Sequence, residues 1–220
     1  MKIMFVEARL NKEIPLERLG EIKEQKIGLL ATIQHIGQLD RIKENLEQKG
    51  KEVYTARGKL TQYEGQILGC DSSAAMNIAG KVDAFLYVGT GDFHPLHVAL
   101  KLKKTLYLLS PEGEIEKISE EKLERIYGRK KAALAKFYTE DKVGIIVSTK
   151  PGQENLRQAL VLKKMLEKKG KEAFIFACDL LKLDELENFD CKAWINTACI
   201  GLQLEENFLT TADLVDYFRG

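Results

Sequence analysis

The sequence is poor in cysteine, proline and tryptophan, with four, four and one of these residues in 220. The cysteines form no Cys-x-x-Cys pair and no spacing typical of a small disulfide-stabilised domain. No Ser/His/Asp triad, Walker motif, His-Glu-x-x-His motif or zinc-finger spacing is present. These absences exclude the nucleotide, zinc and hydrolase sites that are most easily recognised in a sequence.

Charge and hydropathy are also unremarkable. There are 34 basic and 33 acidic side chains, for a formal net charge of +1, so no basic surface for a nucleic-acid duplex is predicted. No hydrophobic stretch reaches the length of a membrane span, and the apolar run at the start is too short for a signal peptide. We therefore expect a cytoplasmic protein with reduced cysteines and no direct contact with membrane or nucleic acid.

Two parts of the chain share one strand–helix–strand pattern. The apolar runs at 26–32 and 142–149 are typical of strands that are buried on both faces. Each run precedes an amphipathic helix that ends at a Lys-Gly-Lys-Glu sequence, at 49–52 and 169–172. The predicted apolar stripes of these helices are Leu39, Ile42 and Leu46 in the first and Leu156, Leu160, Met165 and Leu166 in the second.

Further strands are predicted at 53–55, 83–89, 173–176 and 192–198. This order of elements predicts an α/β fold of two tandem, repeat-related small domains, each with a parallel sheet and flanking helices. We place these domains at residues 22–135 and 136–220, joined by a helix at 119–138.

Cys70 has the most informative setting of the four cysteines. It lies between Gly69 and Asp71, just before small helix-forming residues. A thiol at the opening of a helix is favoured as a thiolate and can bind metal, whereas a small packed thiol is the alternative interpretation. Cys199, at the end of a predicted strand, has the same two interpretations. Cys178 and Cys191 are interpreted as packed thiols.

Loops at the carboxyl ends of the predicted strands are further candidates, because parallel sheets bind ligands there. Gly89-Thr90-Gly91 lacks the third glycine of a dinucleotide loop and is predicted to be a close-approach turn for another ligand. The segment 148–153 either binds a ligand or is an ordinary turn. His94 either contacts a carboxylate, acts as an acid or base, or has a structural role.

Taken together, these motifs resemble those of the 2-(3-amino-3-carboxypropyl)histidine synthases, the radical enzymes of diphthamide synthesis. The resemblance covers nearly the whole chain. Its ordered motifs are Gln34-His35, the run from Gly65 to Ser72, the run from Val88 to Leu96, the run from Val147 to Gln153, and Asn196-Thr197-Ala198-Cys199.

The resemblance implies three tandem α/β domains, each giving one cysteine to a [4Fe–4S] cluster whose fourth iron binds S-adenosylmethionine. It further implies a 3-amino-3-carboxypropyl radical that adds to a histidine of translation elongation factor two. By position, Cys70 and Cys199 match the second-domain and third-domain metal ligands. The residues implied around S-adenosylmethionine are Gln34, His35, Gly89, Thr90, Gly91, His94, Ser148, Lys150 and Gln153.

Two features depart from the family pattern. Residues 1–21 resemble only the last strand (Ile3–Val6) and linker of an absent first domain, so that domain's cysteine is missing. In addition, Ile200-Gly201 follows Cys199 where the family usually has Pro-Arg. A third thiolate would come from Cys178, from Cys191 or from a partner chain.

We therefore expect part of a transferase that forms a homodimer or heterodimer with a homologous subunit. The first alternative is a non-catalytic, cluster-deficient scaffold subunit of the same synthase. The second is a small-ligand binding module that uses an interdomain cleft without a cluster.

Overall fold

The computed structural model describes residues 4, 6–91, 93–150, 153–198 and 208–219. The chain divides into two compact units, Met1–Leu123 and Glu124–Gly220. Each unit is built around its own mainly parallel sheet, so the predicted α/β fold class is confirmed. No helix in the described parts of the chain has both the length and the apolar character to cross a membrane.

The first unit has a five-stranded sheet in the order β2-β1-β3-β4-β5, parallel except for the antiparallel β4–β5 pair. Its strands are β1 (Lys26–Ala31), β2 (Glu52–Tyr54), β3 (Ala84–Val88), β4 (Thr105–Leu109) and β5 (Ile115–Lys117). Its helices are α1 (Leu39–Gln48), α2 (Ser73–Ile78) and α3 (Phe93–Leu102), with 3-10 turns at Glu17–Glu21 and Ile36–Gln38. Strands β4 and β5 were not predicted from the sequence.

The second unit has a parallel sheet in the order β7-β6-β8. Its strands are β6 (Lys142–Ser148), β7 (Glu172–Cys178) and β8 (Ala193–Asn196). Its helices are most of α4 (Glu120–Thr139), then α5 (Leu156–Lys168), α6 (Leu183–Leu186) and α7 (Val215–Arg219), with a 3-10 turn at Thr211–Leu214. A single parallel bridge between Ile195 and Leu209 lies on the far side of β8.

The two sheets share one packing feature, a glycine that pairs with an aromatic residue on the neighbouring strand. Gly28 pairs with Phe85, and Gly144 pairs with Trp194. A Cβ atom on Gly28 would lie 2.5 Å from the Phe85 ring, and one on Gly144 would lie 2.2 Å from the Trp194 ring. The rings therefore cover the glycines directly, which only a residue without a side chain allows.

Helix α1 has the predicted packing. Leu39, Ile42 and Leu46 are buried in the core of the first unit. The helix ends before Gly50, whose φ of +80° is the left-handed conformation expected just beyond a helix terminus.

The predicted apolar stripe of α5 is largely wrong. Leu156, Leu160 and Met165 are exposed, and of the four predicted residues only Leu166 is buried. The buried face is formed by Ala159, Leu162 and Leu166, which are spaced three and four residues apart. The prediction missed this spacing because it was based on the larger apolar side chains and left out the small Ala159.

The segment before β1 packs into the first unit. Its buried apolar side chains, all in the same core cluster as the inner face of β1, are Ile14, Leu16, Leu19 and Ile22. The predicted strand at 3–6 is not supported by the described part of this segment: Met4 and Val6 are exposed and belong to no strand, while Ile3 and Phe5 lie outside the described residues.

Candidate functional site

The loop that carries Cys70 is attached to the carboxyl end of β1. The Ala31 N–H donates to the Gly65 carbonyl, and the Ile67 N–H donates to the Ala31 carbonyl, both at 2.9 Å. This pairing continues the sheet beyond the strand by a bridge between Ala31 and Gln66. The loop therefore leaves the sheet from the edge at which parallel sheets bind ligands.

Cys70 lies at the tip of a tight turn. The Leu68 N–H donates to the Asp71 carbonyl at 3.0 Å, and the Asp71 N–H donates to the Leu68 carbonyl at 3.2 Å. Gly69 and Cys70 are the two residues enclosed by these bonds. Cys70 is exposed, whereas Cys178 is half-buried and Cys191 is buried. The turn thus exposes the thiol to solvent on a backbone that is closed by two hydrogen bonds.

The Asp71 carboxylate is buried, with 6% of the residue exposed. Its Oδ1 accepts the Ser73 N–H at 2.9 Å, and its Oδ2 accepts the Leu60 N–H at 2.7 Å. Burial alone would raise the pKa of Asp71. Hydrogen bonds from the Ser73 hydroxyl and these two N–H groups, with the charge of Lys59, outweigh burial and hold the pKa below its ordinary value.

The Cys70 turn also packs on the start of α3. A Cβ atom on Gly69 would lie 2.6 Å from Cε1 of Phe93 and 3.8 Å from Nε2 of His94. The His94 ring lies 4.9 Å from the Phe93 ring and is stacked at 6.2 Å on the ring of Tyr87, measured between centroids. Burial lowers the pKa of His94, so its imidazole is neutral at pH 7.

Tyr87 connects this group to the glycine loop that follows β3. A Cβ atom on Gly89 would lie 2.8 Å from the Tyr87 hydroxyl. Burial raises the pKa of Tyr87 to about 12, although a hydrogen bond with the Thr32 side chain acts in the opposite direction. Gly89 is buried, while Thr90 and Gly91 are exposed, and the φ of +70° at Gly91 suits glycine. The loop therefore offers exposed backbone beside a buried phenol.

Gln34 and His35 follow β1 at the same edge of the sheet. Gln34 is exposed, and its carbonyl accepts the Leu10 N–H at 2.8 Å. His35 is only 2% exposed, and its Nε2 has no hydrogen-bond partner among the described residues. Burial lowers the pKa of His35, against the opposing charge of Glu112.

The first unit therefore brings several predicted site residues together. Contacts run from the Cys70 turn through Phe93 and His94 to Tyr87, and from Tyr87 to Gly89. Tyr87 was missed at the sequence level because an aromatic residue inside the apolar run of β3 is expected to be an ordinary core residue.

In the second unit, Ser148 is the last residue of β6 and is buried. Its Oγ accepts the Lys150 N–H at 3.1 Å, and the Lys150 carbonyl accepts the Gln153 N–H at 3.0 Å. Lys150 and Gln153 are exposed. The serine thus fixes the backbone of a turn that directs polar side chains into solvent at the carboxyl edge of this sheet.

The chain leading to Cys199 is also fixed by hydrogen bonds. The Asn196 Oδ1 accepts the Ala198 N–H at 2.8 Å, and the Thr197 hydroxyl donates to the Ile146 carbonyl at 2.8 Å. Cys199 itself lies outside the described residues. The strand that precedes it ends at Asn196, as part of the predicted carboxyl edge.

Cys178 and Cys191 lie at opposite ends of this sheet. Cys178 pairs with Ser148 at the carboxyl end, whereas Cys191 precedes Ala193, which pairs with Val143 near the amino end. The separation along the strands is roughly 17 Å or more, from the rise per residue. Burial, followed by the charges of nearby acidic groups, raises the pKa of both thiols. Among the described residues, no group of three His, Cys, Asp or Glu side chains could hold a metal ion.

The chain matches a known protein family over most of its length. Residues 1–209 match the model of the diphthamide synthesis protein family. The chain belongs to this family. The predicted resemblance is thereby confirmed.

Relatives within the diphthamide synthesis family are substantially longer than this chain. The chain is 36% identical over 193 residues to the 2-(3-amino-3-carboxypropyl)histidine synthase of Pyrococcus horikoshii, covering 86% of the chain and 55% of the relative. It is 28% identical over 206 residues to subunit 1 of this synthase from Schizosaccharomyces pombe, covering 86% of the chain and 45% of that subunit.

A solved structure is similar as well. The crystal structure of Dph2 from Pyrococcus horikoshii with a 4Fe-4S cluster matches with a TM-score of 0.79 and 33% identity, covering 92% of this chain and 60% of Dph2. The chain thus spans about half the length of these two curated relatives and three fifths of Dph2.

Proposed function

We propose that this chain takes part in transferring a 3-amino-3-carboxypropyl group from S-adenosylmethionine to a histidine of translation elongation factor two. Cys70 and Cys199 would be ligands of a [4Fe–4S] cluster. The observation that carries this proposal is the exposed Cys70 thiol on a hydrogen-bonded turn, in a member of the diphthamide synthesis family. The names of the relatives and the cluster in Dph2 support it.

The donor at Cys70 fits such a cluster chemically. Thiolates are the soft ligands that iron–sulfur clusters require, and the exposed position gives access for assembly. When bound, the cluster would supply the electron that cleaves S-adenosylmethionine. Cys191 is not proposed as a ligand, because it is buried at the amino end of its sheet, whereas the strand that leads to Cys199 ends at the carboxyl edge.

The remaining residues would bind and orient the substrate. The glycine loop at 89–91 allows close approach of a ligand to backbone N–H groups, and the exposed ammonium of Lys150 would pair with a carboxylate. His94 and Tyr87 would form a partly apolar wall. A neutral His94 could donate or accept one hydrogen bond there without adding charge.

We further propose that residues 22–135 and 136–220 correspond to the second and third domains of the three-domain architecture, with residues 1–21 as the end of the first. We also propose that the chain pairs with a homologous subunit. In support of a partner, two fungal relatives are named subunit 1 of the synthase, which implies more than one subunit in those organisms.

Anaerobic reconstitution with iron and sulfide tests cluster binding. We expect the wild-type chain to turn brown and to retain iron, and we expect Cys70→Ala and Cys199→Ala each to lose most of it. Cys191→Ala is the matched control and should retain wild-type iron. A colourless wild-type chain, both alone and mixed with a full-length family member, would rule out the cluster.

A non-catalytic scaffold subunit is the second candidate, because Ile200-Gly201 follows Cys199 where the family usually has Pro-Arg. Transfer of label from carboxyl-labelled S-adenosylmethionine to elongation factor two separates the candidates. A transferase subunit should lose activity in Cys70→Ala when assayed with a full-length partner. Unchanged transfer in that variant would favour the scaffold.

A further inference from the structure

The buried Asp71 carboxylate connects the Cys70 turn to the loop at Leu60, eleven residues earlier, and to the start of α2, which follows the turn directly. It accepts N–H groups from Leu60 in the preceding loop and from Ser73 in the first turn of α2, while the Asp71 backbone closes the Cys70 turn. Ser73 extends the same network, since its Oγ accepts the Lys59 N–H at 2.7 Å. One side chain therefore ties the cysteine turn to both of its flanking segments.

Asp71 is suited to hold the turn rather than to bind metal itself. Each carboxylate oxygen already accepts a backbone N–H, and the residue is almost fully buried, whereas Cys70 beside it is exposed. Charge-assisted hydrogen bonds of this kind are stronger than bonds between neutral groups, so they restrict the backbone more tightly.

Two contacts with α3 restrict the turn as well. Gly69 packs against the Phe93 ring, and the Lys101 ammonium on α3 donates to the Ser72 hydroxyl at 3.3 Å. Helix α3 and Asp71 therefore both limit movement of the turn.

We infer that Asp71 is the positioning residue for Cys70, fixing where the thiol is held for metal binding. Without its carboxylate, the turn would open from the loop at Leu60 and from α2, and the thiol would sample many positions. This inference rests on the proposed function, in which Cys70 is a cluster ligand.

The test compares Asp71→Asn with Asp83→Asn. Asparagine keeps the shape of Asp71 but directs an amide NH₂ at one of the two backbone N–H donors, so one hydrogen bond is lost. Asp83 is the matched control because its carboxylate also accepts a backbone N–H, from Lys26 at 3.0 Å, but it is exposed at the amino end of β3.

Hydrogen exchange of the metal-free protein is the first measurement. In Asp71→Asn we expect exchange across residues 58–73 to be about ten-fold faster or more, from the loss of a hydrogen bond to a charged group. Exchange of β3 should be unchanged, and Asp83→Asn should match the wild type in the 58–73 segment. Equal exchange in the two variants would overturn the inference.

Cluster retention and the electron paramagnetic resonance spectrum of the reduced cluster are the second measurement. We expect Asp71→Asn to retain less than about half of the wild-type iron and to show an altered spectrum in what remains, at a temperature where circular dichroism shows it folded. A purely structural role would leave the spectrum of the remaining cluster unchanged, and that result would also overturn the inference.

The two proposals fail separately. If the wild type takes up no cluster, the proposed function is wrong, while hydrogen exchange and the alkylation rate of Cys70 still show whether Asp71 fixes the turn. If Asp71→Asn does not fold, Ser73→Ala takes its place, since it removes only the hydroxyl bonds of the same network.

Discussion

At the scale of single residues, Gly69 controls how closely the Cys70 turn approaches α3. Because a Cβ atom there would lie 2.6 Å from the Phe93 ring, Gly69→Ala must displace either the ring or the turn. We expect cluster retention after reconstitution to fall to about half or less, by analogy with other overpacked positions.

Gly128→Ala is the control for this variant, because nothing lies within 4 Å of the added methyl group. It should retain wild-type iron. Full retention by Gly69→Ala as well would mean that the turn tolerates displacement and that its fixed position is unimportant for binding.

His35 should make stability dependent on pH in mildly acidic solution. Burial holds the pKa of His35 below its ordinary value of 6.5, so the unfolded chain takes up a proton that the folded protein resists. The contribution of neutral His35 to stability should therefore be complete above pH 6.5. The free energy of unfolding should fall as the pH is lowered toward the pKa that His35 has in the folded protein. The contribution of Asp71 to stability is complete above its ordinary pKa of 3.8 and is lost only below it, so Asp71 adds no pH dependence in this range.

Thermal denaturation between pH 7.5 and 5 checks this expectation. The melting temperature of the wild type should fall as the pH is lowered, and His35→Gln should show a smaller fall whatever its melting temperature at pH 7.5. Parallel pH profiles of the two proteins would contradict a role for His35. The same experiment on His94→Gln measures the contribution of the second histidine with a lowered pKa.

The sequence suggests candidate site residues more readily than the contacts that support them. Cys70 and His94 carry chemistry that is visible without a structure, so they were predicted as candidates. The hydrogen bonds of Asp71 were not predicted, because its partner Leu60 lies eleven positions earlier and meets it only through the path of the loop. Hydrogen bonds between irregular segments follow no sequence period.

At the scale of secondary-structure elements, the glycine–aromatic pairs should determine the stability of each sheet. We expect Gly144→Ala to lower the free energy of unfolding by about 1–3 kcal/mol, because the added methyl group would lie 2.2 Å from the Trp194 ring in a packed core. Urea denaturation followed by circular dichroism measures the change.

Gly20→Ala is the control, since it adds a methyl group into open space. An unchanged midpoint for Gly144→Ala would show that β8 moves away from β6 at little cost. Gly28→Ala tests the equivalent pair of the first sheet, where we expect a loss of similar size.

Strands β1, β3, β6 and β8 could be predicted because they are buried on both faces and are therefore continuous apolar runs. Strands β4 and β5 were missed for a different reason. The repeat guided the prediction, and in the described part of the second unit the corresponding position is only a single bridge at Leu209. A strand that is well developed in one repeat alone cannot be found by comparing the two.

At the scale of the whole molecule, charge should contribute little to stability. The net charge is only +1, and most ion pairs of the described residues join exposed side chains, as in Arg18–Glu21 and Lys142–Asp190. Such pairs contribute little and are screened by salt. We expect the melting temperature to change by about 2 °C or less between low and moderately high salt concentrations.

The pair Lys130–Asp213 is a departure from this pattern, because the Asp213 side chain is 6% exposed. Its Oδ2 also accepts the Thr210 N–H and hydroxyl at 2.9 Å, which fixes the last 3-10 turn. Because a buried charge is screened less than an exposed one, this pair should persist at high salt, and a fall in melting temperature of more than about 5 °C would contradict the small contribution expected of the exposed pairs.

The Gly144–Trp194 contact has an optical consequence. Trp194 is the one tryptophan of the chain, and it is buried on the sheet of the second unit. Its fluorescence can be excited apart from that of the tyrosines, so emission from the native protein reports one half of the repeat without any label. Refolding followed by this signal and by far-ultraviolet circular dichroism would show whether the two halves fold at the same rate.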